Sequence, residues 1–148
     1  ETHMLSAPLG PNKKFLAEEA RGYISRSTDL YNLIFLDIYQ DITGVPNHLV
    51  TGEFFESLKN RLKPDGMVVG NFIAHPNFGD AYSIRLDATI RSVFPIVNRH
   101  VVTDYSGWGR DPDSMVNVMY TMQMVPDGIE GVYTDNINRA FIDKSRAP

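Results

Sequence analysis

The chain has 148 residues, of which 43% are hydrophobic and 22% are charged, with a net charge of −4, as is typical of a single globular domain. Its lysines and arginines are scattered and no apolar stretch approaches the roughly 20 residues that cross a bilayer, so we expect neither a nucleic-acid partner nor a membrane. The sequence has no cysteine, which excludes disulfides and thiolate metal sites, and we predict a cytoplasmic location.

The first predicted elements lie in the N-terminal quarter of the chain. Residues 1–12 contain two prolines, one glycine and no apolar period, so we predict an irregular lead-in followed by one domain over residues 13–148. Residues 15–18 are a short candidate strand, and residues 20–26 are a short candidate helix.

The next element is a strand that ends at Asp37. The run 33–36, Leu-Ile-Phe-Leu, has no polar alternation, which predicts a strand buried on both faces in a helix-covered parallel sheet. In open α/β sheets the ligand crevice lies beyond the carboxyl ends of the strands, so Asp37 is a candidate for chemistry. From position alone, a carboxylate that caps the loop after the strand is an equal alternative.

The second half of the chain alternates further helices and strands. Residues 53–63 form a predicted helix with Thr51 as its N-cap and with the Pro-Asp-Gly turn at 64–66 as its stop. Asp80 is placed to cap a further helix, one face of which is lined by Leu86, Ile90 and Val93. The remaining predicted strands are residues 67–73, 95–102 and 115–125.

Two motifs carry a resemblance to a known family. Residues 37–55 have the pattern D-x-x-x-D-x-x-x-V-P-x-H-L-x-T-x-E-F-F and are followed, after a helix, by L-K-P-D-G at 62–66. This pattern resembles the second half of the spermidine synthase-like proteins, which are aminopropyltransferases and their relatives on the S-adenosylmethionine-dependent methyltransferase fold. Residues 14–21, K-F-L-A-E-E-A-R, are similar to that family's strand ending in G-D-A-R. The resemblance covers roughly residues 13–125.

The resemblance implies an α/β fold class with a partial, Rossmann-like, methyltransferase-type sheet. The family's strand order is 3-2-1-4-5-7-6, and this sequence shows neither its Gly-rich turn after the first strand nor its acid after the second. We therefore expect this chain to contain only the family's third strand and its strands from the fourth onward. The strand at 33–37 then lies at an exposed edge, which natural proteins avoid. We expect a second copy of the chain, in a homo-oligomer, or a rearranged N-terminus to cover this edge.

The resemblance also implies roles for five residues. Asp37 is the general base that takes a proton from an amine nucleophile, and Asp41 is a second acid that holds a cationic amine. The spacing of Asp41 differs from the D-x-x-D of the true aminopropyltransferases, so a solvated loop acid is an alternative. Glu19 and Ala20 occupy the positions that, in the family, contact the adenine edge of the S-adenosylmethionine-type cofactor, which is the donor of the transferred group. Pro46 lies in the segment that packs near the adenine, although prolines also serve turn geometry.

Two functional interpretations follow. In the first, the chain is a transferase domain that uses S-adenosylmethionine or decarboxylated S-adenosylmethionine and a small-molecule amine. We expect this fragment to be inactive, because the Gly-rich turn and the ribose-binding acid hold most of the donor. In the second, the chain is a non-catalytic binding or structural module of the same fold that acts as an oligomer. The four histidines are dispersed, so we expect no metal site in either case.

Overall fold

The fold is described for residues 16–37, 45–102 and 115–124 of a computed structural model. The elements in chain order are α1 (Ala20–Arg26), β1 (Tyr31–Leu36), a 3-10 helix (Asn47–Leu49), α2 (Gly52–Lys59), β2 (Leu62–Ala74), α3 (Ala81–Val93), β3 (Ile96–Val101) and β4 (Val116–Gln123). The helices predicted at 20–26 and after Asp80, and the strands predicted at 67–73, 95–102 and 115–125, are confirmed to within a few residues.

The four strands form one mixed sheet with the spatial order β1-β2-β4-β3. β1 and β2 are parallel, since α2 connects them by a crossover, and β4 is antiparallel to both β2 and β3. This arrangement is the 4-5-7-6 portion of the strand order that the resemblance implies. The predicted fold class, a partial methyltransferase-type α/β sheet, is therefore confirmed.

The core lies on one face of this sheet. α2 packs against β2 and α3 against β3, and alternate side chains of β4 are buried beneath them. Phe72 contacts Phe55 and Tyr120 edge-on, with ring centroids 6.3 and 5.7 Å apart. Such tilted aromatic pairs are favourable beyond the area that they bury. The fully buried side chains include Phe54, Phe55, Leu58, Ile90, Val118, Tyr120 and Met122.

The opposite face of the sheet is open at β1. Leu33 and Phe35 are 55% and 58% exposed, and the register places them beside Met67 and Val69, which are only half-buried. The prediction that this strand is buried on both faces is therefore wrong. An unbroken apolar run indicates burial only when both faces have a covering layer. Within the described ranges, β1 is an edge strand and only Leu36 is buried.

Two further predictions, a strand and the end of a helix, are also wrong. Residues 16–18 form no strand, since none of the four described strands pairs with them and a strand needs a hydrogen-bonded neighbour. α2 ends at Lys59, and its C-cap Asn60 is a weak helix former. Pro64 therefore does not stop the helix.

The Lys-Pro-Asp-Gly segment instead forms an irregularity inside β2. The register with β1 shifts from Tyr31 opposite Leu62 to Leu33 opposite Met67, so the intervening residues of β2 bulge out of the ladder. Gly66 is required there because a Cβ would lie 2.7 Å from the carbonyl oxygen of Tyr31. The lead-in at 1–12 and the aromatic loop at 103–114 lie outside the described residues, and the predicted domain boundary stays a prediction.

Candidate functional site

Asp37 lies where the sequence places it, directly after the carboxyl end of β1. Because Leu36 is paired with Gly70 in the neighbouring parallel strand, the next residue of β2, Asn71, lies beside Asp37. The Nδ2 of Asn71 donates a hydrogen bond to Oδ1 of Asp37 at 3.1 Å. Asp37 is otherwise exposed, so its carboxylate is fixed on one side and accessible on the other.

Asn71 is not among the site residues predicted from the sequence. The other end of its side-chain amide, Oδ1, is buried and accepts no hydrogen bond within the described part of the chain. Buried polar atoms are usually paired, so this oxygen stands out. A signal was present in the sequence, because Asn71 is the one polar side chain in the apolar stretch from Met67 to Ala74.

Glu19 caps α1. Its Oε1 accepts from the backbone N–H of Arg21 at 2.9 Å and its Oε2 accepts from that of Gly22 at 2.7 Å. These two hydrogen bonds, with a smaller contribution from His48, hold the pKa of the Glu19 carboxyl below its usual value. Both carboxylate oxygens are thus engaged at the start of the helix. The predicted contact between Glu19 and a donor stays a prediction.

Arg21 and His48 tie α1 to the segment that follows Pro46. The Nη1 of Arg21 donates to the carbonyl oxygen of His48 at 2.7 Å and to Oγ1 of Thr51 at 3.2 Å. The Nε2 of His48 lies 3.2 Å from Oε1 of Glu19. The structure thereby joins the two segments predicted to meet the adenine, one with Glu19 and one after Pro46. Asp41 lies outside the described residues.

Ala20 lines an open cleft of about 320 Å³ between α1, β1 and α2. Its walls are mostly apolar and include Leu36 and Phe54, while the hydroxyls of Tyr23 and Tyr31 lie 2.9 Å apart. A small, apolar wall of this kind suits a flat uncharged ring such as an adenine base. The predicted contact between Ala20 and the adenine of a donor stays a prediction.

The described ranges contain neither a cluster of metal-ligating side chains nor a membrane-spanning helix. No group of three or more histidine, aspartate or glutamate side chains is placed to hold a metal ion there. No helix in these ranges is both long enough and apolar enough to cross a membrane.

Curated proteins and solved structures are similar to this chain in sequence or in fold. No family model matches the chain. Over 103 residues it is 32% identical to "Polyamine aminopropyltransferase 2" of Pseudomonas aeruginosa, a match that covers 67% of this chain and 30% of that protein. The chain therefore spans less than a third of the length of this curated relative.

Solved structures are similar to this chain in fold. A spermidine synthase in complex with the transition state analogue AdoDATO superposes with a TM-score of 0.62 at 18% identity, covering 94% of this chain and 49% of that one. Human methyltransferase-like protein 13, in complex with SAH, superposes with a TM-score of 0.59 at 19% identity, covering 88% and 58%. At these identities the likeness concerns the fold alone.

Proposed function

Because the chain is spermidine synthase-like and has the methyltransferase fold over the portion that it shares with these proteins, we propose that it is part of a transferase. The reaction is the transfer of an aminopropyl or methyl group from an S-adenosylmethionine-type donor to an amine. The position of Asp37 carries this proposal, because an exposed carboxylate at the carboxyl ends of two parallel strands lies where such sheets bind ligands.

Asp37 acts in this proposal as the general base. The donor, S-adenosylmethionine or its decarboxylated form, supplies a carbon made electrophilic by its bond to a sulfonium sulfur. The amine nitrogen forms a new bond to this carbon with its lone pair, the carbon–sulfur bond breaks, and its electron pair neutralises the sulfur. The nitrogen then carries one proton too many, and Asp37 accepts that proton. Asp41 is proposed to hold the amine from the following loop.

The donor contacts proposed for this chain are Ala20, Pro46 and Glu19. Ala20 is supported by its place in the cleft, whereas the carboxylate of Glu19 is already engaged with the start of α1. An apolar wall alone holds only the base end of the donor. We therefore propose that these 148 residues, when isolated, bind the donor weakly and are inactive.

The alternative is a non-catalytic module of the same fold that acts as a homo-oligomer. The exposed apolar side chains of β1, Leu33 and Phe35, favour it, because a bare apolar edge strand promotes pairing with another chain. In both proposals the location is cytoplasmic, and neither a nucleic acid nor a membrane is a partner.

Replacement of Asp37 by Asn tests the proposed function in the protein at the full length that its gene encodes. The amide keeps the size of the side chain but accepts no proton, so turnover should fall by roughly 10²–10⁴-fold while folding is unchanged. Product formation is followed by mass spectrometry with each form of the donor and a panel of amines.

Asp29→Asn is the matched control, since Asp29 is an exposed carboxylate just before the amino end of the same strand, β1. This variant should retain wild-type turnover. Absence of any alkylated amine with the wild-type protein would exclude the transferase and favour the alternative module.

A further inference from the structure

Arg21 lies in the first turn of α1 and reaches across to the chain segment 46–51. One of its nitrogens, Nη1, donates to the carbonyl oxygen of His48 at 2.7 Å and to Oγ1 of Thr51 at 3.2 Å. The second of these bonds is partly buried, and a charged donor forms stronger hydrogen bonds than a neutral one does. Arg21 therefore attaches α1 both to the 3-10 helix and to the start of α2.

The backbone of segment 46–51 transmits this contact to Pro46. The N–H of Leu49 donates to the carbonyl oxygen of Pro46 at 2.9 Å, which closes the 3-10 helix into a short unit. A shift of His48 relative to α1 would therefore move Pro46 as well. Leu49 is buried in the core, so the segment stays attached to the domain even when the contact with Arg21 is lost. The position of Pro46 relative to α1 thus depends on Arg21, while the fold does not.

Ala20 lies between two residues that contact this segment. On one side of it in the chain is Glu19, whose Oε1 is 3.2 Å from Nε2 of His48, and on the other side is Arg21. The contact between Glu19 and His48 is exposed, and exposed ion pairs contribute little. Arg21 is half-buried, so its hydrogen bonds hold the segment more strongly. Because Ala20 also lines the open cleft, these contacts hold one wall of the cleft beside the segment of Pro46.

We propose that Arg21 is a positioning residue for the donor: it holds segment 46–51 against α1, and Ala20 and Pro46 are thereby placed in advance to receive the base of the donor. This inference rests on the proposed function, in which both residues contact that base. Arg21 acts through segment 46–51 rather than by touching the donor. Both hydrogens of its Nη1 are already given to acceptors of the protein.

A positioning role of this kind affects donor affinity and leaves the chemical step unchanged. Without Arg21, segment 46–51 samples additional arrangements relative to α1, and only some of them are competent to bind the base. The apparent affinity falls in proportion to the population of the competent arrangement. A bound donor selects this arrangement, so turnover at saturating donor is the same. Loss of a catalytic residue has the opposite signature, because it lowers kcat.

Arg21→Met tests the proposal in the full-length protein, because methionine is long, unbranched and a good helix former but donates no hydrogen bond. The ligand for calorimetry is 5′-methylthioadenosine, which carries the base of the donor and no group to transfer. Its Kd should rise about tenfold in the variant. The KM of the donor should rise by the same factor, while kcat and the KM of the amine stay close to the wild-type values.

Arg26→Met is the matched control for this variant. Arg26 lies on the same helix and pairs with Glu18, a contact that does not involve segment 46–51. The control removes the same charge from α1 and should bind 5′-methylthioadenosine with the wild-type Kd. Equal affinity of Arg21→Met and the wild type would overturn the inference. Equal losses in the two arginine variants would overturn it too, because the charge of α1 would then explain both.

Hydrogen exchange separates this inference from the transfer reaction. In the donor-free protein, the amide of Leu49, which is bonded to Pro46, should exchange faster in Arg21→Met than in the wild type or in Arg26→Met. Unchanged exchange would refute the proposed hold on the segment, and faster exchange with an unchanged Kd would reduce Arg21 to a structural role. A wild type that does not bind 5′-methylthioadenosine would also refute the inference. Weaker binding by Arg21→Met in a protein that transfers no group would retain the inference and reject the transferase.

Discussion

At the scale of single residues, a network of polar and charged side chains around Asp87 stabilises the fold. The carboxylate of Asp87 accepts from Nε of Arg91 at 2.9 Å and from the hydroxyl of Tyr120 at 3.2 Å, and Nη1 of Arg99 lies 3.2 Å from it. Burial, followed by the charge of Asp87, raises the pKa of Tyr120. This network joins α3 to β3 and β4 and lies on the core side of the sheet, away from Asp37.

Asp80 gives a pH-dependent prediction at this scale. Hydrogen bonds from Ser83, and from the backbone N–H of Tyr82, hold the pKa of Asp80 below its ordinary value of 3.8. Because the folded pKa is lowered, the stabilisation is complete above the ordinary value and is lost as the pH falls through the lowered folded value. Asp80→Asn, which still caps α3, should flatten the loss of stability below about pH 4.

Urea unfolding at pH 7, 5 and 3 checks this prediction. At pH 7, Asp80→Ala should lower the free energy of unfolding by about 1 kcal/mol, because the first turn of α3 loses its cap. The Asn variant should stay close to the wild type at that pH. If the free energy of unfolding depends on pH in the same way in the wild type and in Asp80→Asn, protonation of Asp80 does not contribute to the loss of stability at low pH.

At the scale of elements, α2 determines how the candidate site is assembled. The Oγ1 of Thr51 accepts from the backbone N–H of Phe54 at 3.3 Å and from Nη1 of Arg21 at 3.2 Å. One hydroxyl thus starts α2 and attaches it to α1. Sequence pattern predicted the first of these contacts, and only the structure revealed the second.

Thr51→Ala should therefore destabilise the protein more than an isolated cap does. We expect the free energy of unfolding to fall by about 1–2 kcal/mol, since both hydrogen bonds are removed. Thr51→Ser retains the hydroxyl and should remain within about 0.5 kcal/mol of the wild type. Chemical denaturation followed by circular dichroism measures both, and equal losses in the two variants would contradict the role of the hydroxyl.

At the scale of the whole molecule, the open side of the sheet is the feature with the largest consequence. Among the described residues β1 is a six-residue edge strand, Tyr-Asn-Leu-Ile-Phe-Leu, without a charge, a proline or a glycine. Natural edge strands usually carry such residues to prevent pairing with another chain. We expect the isolated chain to associate with itself through this edge.

Static light scattering tests this expectation. The wild-type chain should be a dimer or larger, and Phe35→Lys should shift it toward the monomer, because a lysine on an edge opposes strand pairing. Ile84→Lys is the matched control, since Ile84 is 52% exposed but lies on α3. It should leave the association unchanged. A wild-type monomer would contradict the prediction.

The sequence by itself determined the order and type of most elements, because apolar period and capping residues are local properties. As capping residues, Thr51 and Asp80 predicted where α2 and α3 begin. The alternation of side chains along β4 predicted its buried face. The position of Asp37 directly after a strand was also predictable from the local sequence. The family pattern added the strand order, which periodicity does not contain.

Only the tertiary structure decided which apolar surfaces are covered and which polar groups meet. The run 33–36 is equally apolar whether β1 is central or at an edge, so its sequence could not reveal that Leu33 and Phe35 are exposed. The pairing of Asp37 with Asn71 depends on the register between β1 and β2, which joins residues 34 positions apart in the chain. Register is a property of two strands together, and neither strand encodes it alone.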